Sequence, residues 1–290
     1  MYTQNMSNLP DPVLPLIDAL MRIQGIEAVV LGGSRARNTH TPESDVDLGL
    51  YYSPAHPLDI AQLDTLASQF DDRRQSDLVT PIGGWGPRIN GGGWLQIAGF
   101  AVDLIYRDLD EVSQVVDECI SGSVKIDYQP GHPFGFLSTT YASEVALCQP
   151  LWDSHGRVAG LKSQLVAYPQ KLKQAMVCNF SWEIQFAIAV AEKAIPRRDV
   201  AYVAGSLFRS LCCMLVVLFA LNEQYWMNEK GAVAIAERFS ICPPNFKSRA
   251  EQAFALLEAE VAPLAEAVVL MRILGSEVES LARRLPPLVE

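Results

Sequence analysis

Three aspartates and one glycine turn are the residues of this sequence from which chemistry could most readily be built. Gly32-Gly33-Ser34 follows an apolar run, and Asp45-Val46-Asp47 comes after ten further residues, where a second apolar run begins. Residues two apart in a strand point to the same face, so Asp45 and Asp47 should project together. Two like charges held side by side repel each other, and a cation bound between them removes that cost.

The same stretch favours Mg²⁺ and a phosphate as ligands. Mg²⁺ prefers oxygen and is commonly shared between carboxylates and substrate phosphates. Gly32 and Gly33 would let the backbone approach a phosphate closely, and the N–H groups of a helix that begins near Ser34 would favour an anion. The sequence therefore predicts a phosphate site and a metal site about one strand spacing apart.

A third carboxylate, Asp103, lies in the middle of the apolar run Phe100–Tyr106. An aspartate in such a run is rarely buried without a partner. If this strand pairs beside Val46–Leu50, Asp103 joins the other two aspartates and completes a two-metal site. It would then bind the metal, deprotonate an attacking hydroxyl, or do both.

Composition narrows the class of protein. The chain has 290 residues with 49% apolar and 19% charged residues, which predicts a globular protein of two domains. A formal charge of −10 argues against general affinity for nucleic acid. The six cysteines form no CxxC pair and the N-terminus has no signal-peptide pattern, so we expect a cytoplasmic protein with reduced, buried thiols. The longest apolar run, 211–221, is about half of a membrane span and predicts a buried helix.

The pattern of apolar residues predicts the elements that must position these side chains. Strands are predicted over 26–31, 46–52, 77–82, 94–98 and 100–106, the last two as a hairpin around Gly99. Helices are predicted over 12–24, 58–70 and 110–120, and after Pro150 over 158–167, 171–194, 200–222, 229–239, 247–274 and 277–285, with Gly275 as a breaker. The predicted fold class is α+β: an N-terminal domain, residues 1–152, has a mixed β-sheet flanked by helices, and residues 153–290 form an all-α helical bundle.

Gly33-Ser34, ten intervening residues, Asp45-x-Asp47 and the later strand residue Asp103 together resemble the nucleotidyltransferase superfamily of the DNA polymerase β type. Within it they resemble the bacterial aminoglycoside-type and antitoxin-type enzymes, over roughly residues 12–110. The resemblance implies transfer of a nucleotide from a nucleoside triphosphate with Mg²⁺ and release of pyrophosphate. It also implies that the glycine turn and Ser34 hold the phosphates and that the aspartates bind the metal. One departure is Asn38, where relatives often have glycine; Asn tolerates a left-handed backbone.

Three further features each have two interpretations. Arg35 could contact the triphosphate, or it could shape the loop through an ion pair with an acidic neighbour. In related two-domain transferases a lysine of the helical domain reaches the triphosphate; Lys230 is our candidate, and a plain surface lysine is the alternative. The glycine-dense loop 83–93, with Trp85 and Trp94, could form a rim over the substrate or a simple turn, and we assign it no ligand.

The function predicted from the sequence is a Mg²⁺-dependent nucleotidyltransferase that moves AMP from ATP to a hydroxyl of a small molecule entering between the domains. We expect the triphosphate and this acceptor as partners and no association with a membrane. The sequence leaves open whether the chain forms a homodimer. The alternatives are a protein-AMPylating, antitoxin-like enzyme and a non-catalytic nucleotide-binding module. The residues assigned to catalysis and metal binding are Asp45, Asp47 and Asp103, and those assigned to the nucleotide are Gly32, Gly33, Ser34, Arg35 and Lys230.

Overall fold

A computed structural model describes residues 7–284 of the chain. Two predictions fall partly outside the described residues. One is the absence of a signal-peptide pattern, which includes residues 1–6, and the other is the last predicted helix, which ends at Leu285. The strands are β1 Ile26–Leu31, β2 Val46–Tyr52, β3 Gly92–Ile97, β4 Phe100–Asp108, β5 Ile126–Asp127, β6 Phe136–Leu137 and β7 Gln149–Asp153. The helices are α1 Leu14–Leu20, α2 Gly33–Ala36, α3 Ile60–Phe70, α4 Leu109–Ile120, α5 Thr139–Leu147, α6 Arg157–Gln164, α7 Gln170–Glu192, α8 Val200–Leu221, α9 Ala232–Ala236, α10 Phe246–Ala255 and α11 Val261–Ala282.

Five strands form one mixed sheet in the order β3-β4-β2-β1-β7. Strands β2 and β4 run parallel, and the other three neighbouring pairs are antiparallel. The hairpin between β3 and β4 turns at Ala98-Gly99, where both residues have positive φ, 50° and 82°. Such a two-residue turn matches the twist of the flanking strands. Strands β5 and β6 form a separate two-stranded sheet.

One face of the five-stranded sheet is the core of the N-terminal domain. Alternate residues of each strand point to this face, which packs against the apolar side chains of α1 and α3. Asp59 caps α3 by accepting a hydrogen bond from the backbone N–H of Gln62 at 2.9 Å. The buried strand residues in this core are Ile26, Val29, Leu31, Val46, Leu48, Leu50, Tyr52, Leu95, Ile97, Val102, Leu104, Tyr106 and Leu151. The alternate positions point to the opposite face, where Ala28, Val30 and Tyr51 are buried and Asp47 and Asp103 are half-buried.

The second part of the chain is helical, as predicted, and the α+β fold class with a mixed sheet is confirmed. Within residues 7–284, α8 is the only helix that is long and apolar enough to cross a membrane. However, 72% of its most apolar 18-residue stretch is buried inside the protein. Core helices of globular proteins meet the same criterion. Gly275 does not interrupt α11, because a Cβ there would lie 2.7 Å from Cγ2 of Ile184 on α7, and glycine allows this close packing.

Several predicted elements differ from the observed ones. The strand predicted over 77–82 is reduced to a single bridge between Val79 and Gly93. The helix predicted over 229–239 shortens to α9, and the one predicted over 247–274 is divided into α10 and α11. Helix α5 and strand β7 were not predicted.

The chain divides into two compact units, but the divisions differ from the predicted boundary between residues 152 and 153. The first unit holds the described residues of Met1–Asp117 together with Asp127–Gly131 and Ser138–Ala167. The second holds Glu118–Ile126, His132–Leu137 and the described residues of Tyr168–Glu290. The predicted boundary falls within β7, a strand of the first unit's sheet.

All six cysteines lie in the described part of the chain and none forms a disulfide. Four are buried, and burial raises the pKa of the Cys148 thiol to about 12. Cys178 is exposed and Cys242 is half-buried, so the prediction of buried thiols is wrong for these two.

Candidate functional site

The glycine turn lies directly against one of the predicted catalytic carboxylates. Gly33 has a φ of +59°, and a Cβ there would lie 2.7 Å from Cγ of Asp47 and closer still to its Oδ2. The backbone N–H of Gly32 donates to the carbonyl of Asp47 at 2.8 Å. Glycine at position 33 is therefore required both for the left-handed backbone and for the space that the Asp47 side chain occupies. The turn follows β1, and Asp47 lies on the neighbouring strand β2.

Asp47 and Asp103 are direct neighbours across the parallel pair of β2 and β4. Both are half-buried and point to the face opposite the core, because Val46, Leu48, Val102 and Leu104 on either side of them fill the core. Neighbouring strands lie about 4.8 Å apart, so the two carboxylates share one small area of the sheet. The strand pairing on which the role of Asp103 depended is present. Asp45 is exposed and immediately precedes β2.

These carboxylates fit Mg²⁺ by the chemistry of their oxygen donors. Mg²⁺ is usually bound by one or two carboxylates together with substrate phosphates, and Asp47 and Asp103 supply such a pair beside the glycine turn. Over residues 7–284 no three His, Cys, Asp or Glu side chains are grouped closely enough to hold a metal by themselves. The assignment of all three aspartates as metal ligands stays a prediction.

Ser34 lies in the first turn of the short helix α2 and is half-buried. Its carbonyl accepts a hydrogen bond from the backbone N–H of Thr39 at 3.0 Å, which closes the loop after the helix. Asn38 has a φ of 56°, so asparagine here does adopt the left-handed backbone that the resemblance required. The Asn38 side chain accepts a hydrogen bond from Nδ2 of Asn8 at 2.6 Å.

Arg35 is buried beside the loop that leads into β2, and its predicted contact with the triphosphate stays a prediction. It is only 4% exposed, and its guanidinium donates to three backbone carbonyls: Ser44 at 2.8 Å, Asp45 at 3.1 Å and Asn8 at 3.1 Å. Its Cζ also lies 6.0 Å from the ring centroid of Phe100. The side chain holds the loop that leads into β2 and positions Asp45 through its backbone, because all three guanidinium nitrogens already donate to these carbonyls.

Lys230 is an exposed residue of the second unit, in the segment before α9, and its backbone N–H donates to Oδ1 of Asn228 at 3.0 Å. Its predicted role at the triphosphate stays a prediction. Trp226 is buried and packs edge-on against Phe219, with ring centroids 5.3 Å apart.

The place of Trp94 beside Asp103 was not predicted from the sequence. This tryptophan pairs directly with Asp103 across the β3–β4 hairpin, so Trp94, Asp103 and Asp47 form one row across three strands. The indole of Trp94 is 62% exposed and stacks on Trp85, with ring centroids 4.5 Å apart and an interplanar angle of 25°. The register was open to prediction, because counting outward from the Ala98-Gly99 turn places Trp94 opposite Asp103.

The loop that carries Trp85 is fixed by side chains of the first unit. Arg88 forms ion pairs with Glu111 at 2.9 Å and Asp127 at 2.8 Å, and Nε2 of Gln129 donates to the carbonyl of Trp85 at 2.5 Å. The hydroxyl of Tyr141 donates to the carbonyl of Arg88. These bonds hold one side of the stacked pair in place.

Strand β3 is fixed beside Trp94 by the buried carboxylate of Asp71. Asp71 accepts hydrogen bonds from Nε of Arg73 at 2.9 Å and from the backbone N–H of Gln96 at 2.8 Å. Arg73 in turn donates to the carbonyl of Trp94 at 3.0 Å. The hydrogen bonds from the Arg73 guanidinium, helped by the backbone donors, outweigh burial and lower the pKa of Asp71 to about 2.

Comparison with known proteins agrees with the geometry of the sheet and turn. No curated protein sequence matches the chain. The crystal structure of a nucleotidyltransferase-like protein from Exiguobacterium sibiricum 255-15 aligns over 94% of this chain and 73% of its own, with 12% identity and a TM-score of 0.43. That similarity is too low to define the fold by itself. The family model for the nucleotidyltransferase domain matches residues 16–85, which include the glycine turn, Asp45 and Asp47. Residues 16–85 thus match a nucleotidyltransferase domain, and this match supports the resemblance to the nucleotidyltransferase superfamily.

Proposed function

We propose that the chain transfers AMP from ATP to a hydroxyl of a small molecule, with Mg²⁺ bound at Asp47 and Asp103 and with Asp45 as a further ligand. The observation that carries this proposal is the row formed by the Gly33 turn, Asp47 and Asp103 on three consecutive segments of one sheet face. The phosphates would lie against the backbone of Gly32, Gly33 and Ser34. Bound Mg²⁺ would neutralise phosphate charge during the transfer.

The chain's own residues would position the reactants and move one proton. The acceptor oxygen attacks the α-phosphorus of ATP, the bond to the bridging oxygen breaks, and pyrophosphate leaves on the side of the glycine turn. The hydroxyl proton passes to a carboxylate oxygen of Asp103, which lies on the side of Asp47 away from the glycine turn. Arg35 contributes indirectly by fixing the loop before Asp45. Catalysis of this kind depends mostly on positioning and on charge.

The test is mass spectrometry of hydroxyl acceptors after incubation with ATP and Mg²⁺, together with a pyrophosphate assay. We expect an added AMP in the wild type and a loss of at least about 100-fold in Asp47→Asn, since this change removes a metal ligand and a charge from the site. Asp77→Asn is a matched control, because Asp77 is an exposed aspartate of the same unit outside the row. Label transfer that persists undiminished in Asp47→Asn would contradict the metal assignment. ATP binding without turnover across a broad acceptor panel would favour a non-catalytic module.

A further inference from the structure

Two helices of the second unit, α7 and α11, carry large apolar side chains on their solvent sides. On α7, Trp182 and Phe186 are 62% and 57% exposed, and their ring centroids are 5.6 Å apart. On α11, Val269 and Ile273 are 51% and 49% exposed. Residues four apart in a helix lie on one side of it, so these are an aromatic pair and an aliphatic pair. Single exposed apolar residues need no explanation, whereas a contiguous group marks a contact surface.

Hydrogen bonds from Gln185 show that the two pairs belong to one surface. Nε2 of Gln185 donates from α7 to the carbonyl of Arg272 at 3.3 Å and to Oγ of Ser276 at 3.2 Å, both on α11; we call these two bonds the seam. The aromatic pair lies three residues before and one residue after Gln185, and the aliphatic pair holds the same positions relative to Arg272. Since an α-helix turns by about 100° per residue, the pairs are rotated towards solvent on either side of the seam. We call the two pairs and the seam the α7–α11 face.

The direction of the two helices sets which residues are level with each other. Glu192, which follows the seam on α7, pairs at 2.8 Å with Arg272, which precedes Ser276 on α11, so the helices are antiparallel. Trp182 precedes the seam on α7 and is therefore level with the residues that follow Ser276 on α11. At that level a groove along α11 is lined by the small side chains of Ser276 and Ser280 among others. The face thus presents an exposed indole and a groove at the same level.

The charges of the α7–α11 face are complementary to those of a second copy. Over residues 178–189 of α7 the only charged side chain is Glu183, and it pairs with Arg209 on α8 at 2.5 Å. Exposed Lys193, just after α7, is level with the turn of α11 that carries the exposed Glu266. A two-fold axis parallel to the helices places Lys193 of each copy opposite Glu266 of the other, because residues in such an interface contact each other reciprocally.

The apolar area of the face suits a small homodimer interface. At about 150–250 Å² per aromatic side chain, the aromatic pair exposes about 180–300 Å², and the aliphatic pair brings the total to about 400 Å². The smallest stable interfaces bury about 600 Å² per partner, of which about 65%, or about 400 Å², is apolar in homodimers. The exposed apolar surface therefore matches what a second copy would cover.

We propose that the α7–α11 face joins two copies of the chain in a two-fold symmetric dimer. Helix α7 of each copy lies over α11 of the partner, so that four helices form two packed layers. Trp182 enters the groove on the partner's α11, and Lys193 pairs with the partner's Glu266. At the other end of the face Lys171 and Arg283 are both basic, so we expect the layers to splay apart there. This inference does not depend on the proposed nucleotidyl transfer.

Sedimentation velocity of the full chain tests for the dimer. Affinities of small interfaces extend to the micromolar range, so we expect the monomer of 31.9 kDa to be replaced by a dimer between about 1 and 100 µM protein. Trp182→Ala should weaken the dimer about 100- to 1,000-fold, because loss of a hot-spot residue costs about 30-fold and the residue occurs twice. Trp94→Ala is the matched control, since Trp94 is also 62% exposed but lies on β3 in the first unit; it should leave the dimer unchanged.

A charge exchange tests the arrangement of the helices. Lys193→Glu and Glu266→Lys should each weaken the dimer about 5- to 30-fold, because each change replaces two exposed ion pairs by two like-charge contacts. The double variant should restore the wild-type affinity. Both side chains are exposed, so the Tm of each variant should match that of the wild type.

Three results would overturn the proposal. A wild-type chain that stays monomeric at the highest concentration has no such interface. A dimer that Trp182→Ala weakens no more than Trp94→Ala does, or that the double charge variant fails to restore, uses another surface or another arrangement. Flotation of a monomeric wild-type chain with vesicles of phosphatidylglycerol and phosphatidylcholine, lost in Trp182→Ala, would assign the face to a lipid surface instead.

Discussion

Replacing Gly33 by alanine tests whether the glycine turn positions Asp47. Alanine at a φ of +59° costs about 1–2 kcal/mol, because Cβ approaches the following carbonyl. In addition, the new Cβ would come within 2.7 Å of Cγ of Asp47, so the carboxylate must move. For a unit of this size the backbone cost corresponds to a decrease of about 2–8 °C in Tm. A displacement of about 1 Å at a reacting centre can cost about 100-fold in rate, which we expect in pyrophosphate release from ATP.

Gly32→Ala is the matched control for the steric argument. Its φ of −109° suits any residue, and a Cβ there would lie 3.5 Å from Cβ of Asp47, an ordinary contact. We therefore expect its Tm to stay within about 1 °C of the wild type by thermal melting. If Gly33→Ala kept both the wild-type Tm and the wild-type rate of pyrophosphate release, the claim that Asp47 occupies the space beside Gly33 would be refuted.

Two further changes test buried charges of the first unit. Asp71 has a pKa lowered to about 2, so its contribution to stability, about 2 kcal/mol, is fully present above pH 4 and lost as pH falls towards 2. Asp71→Asn should accordingly show a shallower loss of Tm in melts between pH 5 and 2.5; an unchanged pH dependence would contradict this. Burial works to lower the pKa of Arg107, which is 4% exposed, but the Glu144 carboxylate at 2.6 Å raises it. Glu144→Gln should cost about 3–5 kcal/mol in urea unfolding, because it leaves a buried charge unpaired, and Glu43→Gln on the exposed loop should cost nothing measurable.

The strands of the site were predictable because their patterns are local. Strands β1 and β2 begin and end at the predicted residues, since each is a nearly unbroken apolar run bounded by turn residues. Strand β7 escaped prediction because it contains Pro150, which usually argues against a strand. It is tolerated here because β7 is the edge of the sheet and pairs with β1 alone.

Other features depended on contacts that sequence patterns do not contain. Gly275 continues α11 because Ile184 of another helix lies against it. Arg35 lacks a local signal for burial, and its role depends on carbonyls that the loop brings together around it. The position of Trp94 lay between these cases, since the predicted hairpin turn fixes its partner on β4, but no sequence pattern showed that its indole stacks on Trp85.

The path of the chain through the two units has a consequence for how this protein could be divided or recombined. Because two short segments, Glu118–Ile126 and His132–Leu137, belong to the helical unit while the residues between and after them belong to the first, the backbone changes unit five times. No single break in the gene would separate the units intact. A fragment beginning at Tyr168 would lack Phe134, whose ring lies 4.5 Å from Cζ of Arg209 and whose N–H donates to Glu229 at 2.7 Å. Exchange of the first unit between proteins would thus require either the whole chain or several coordinated junctions.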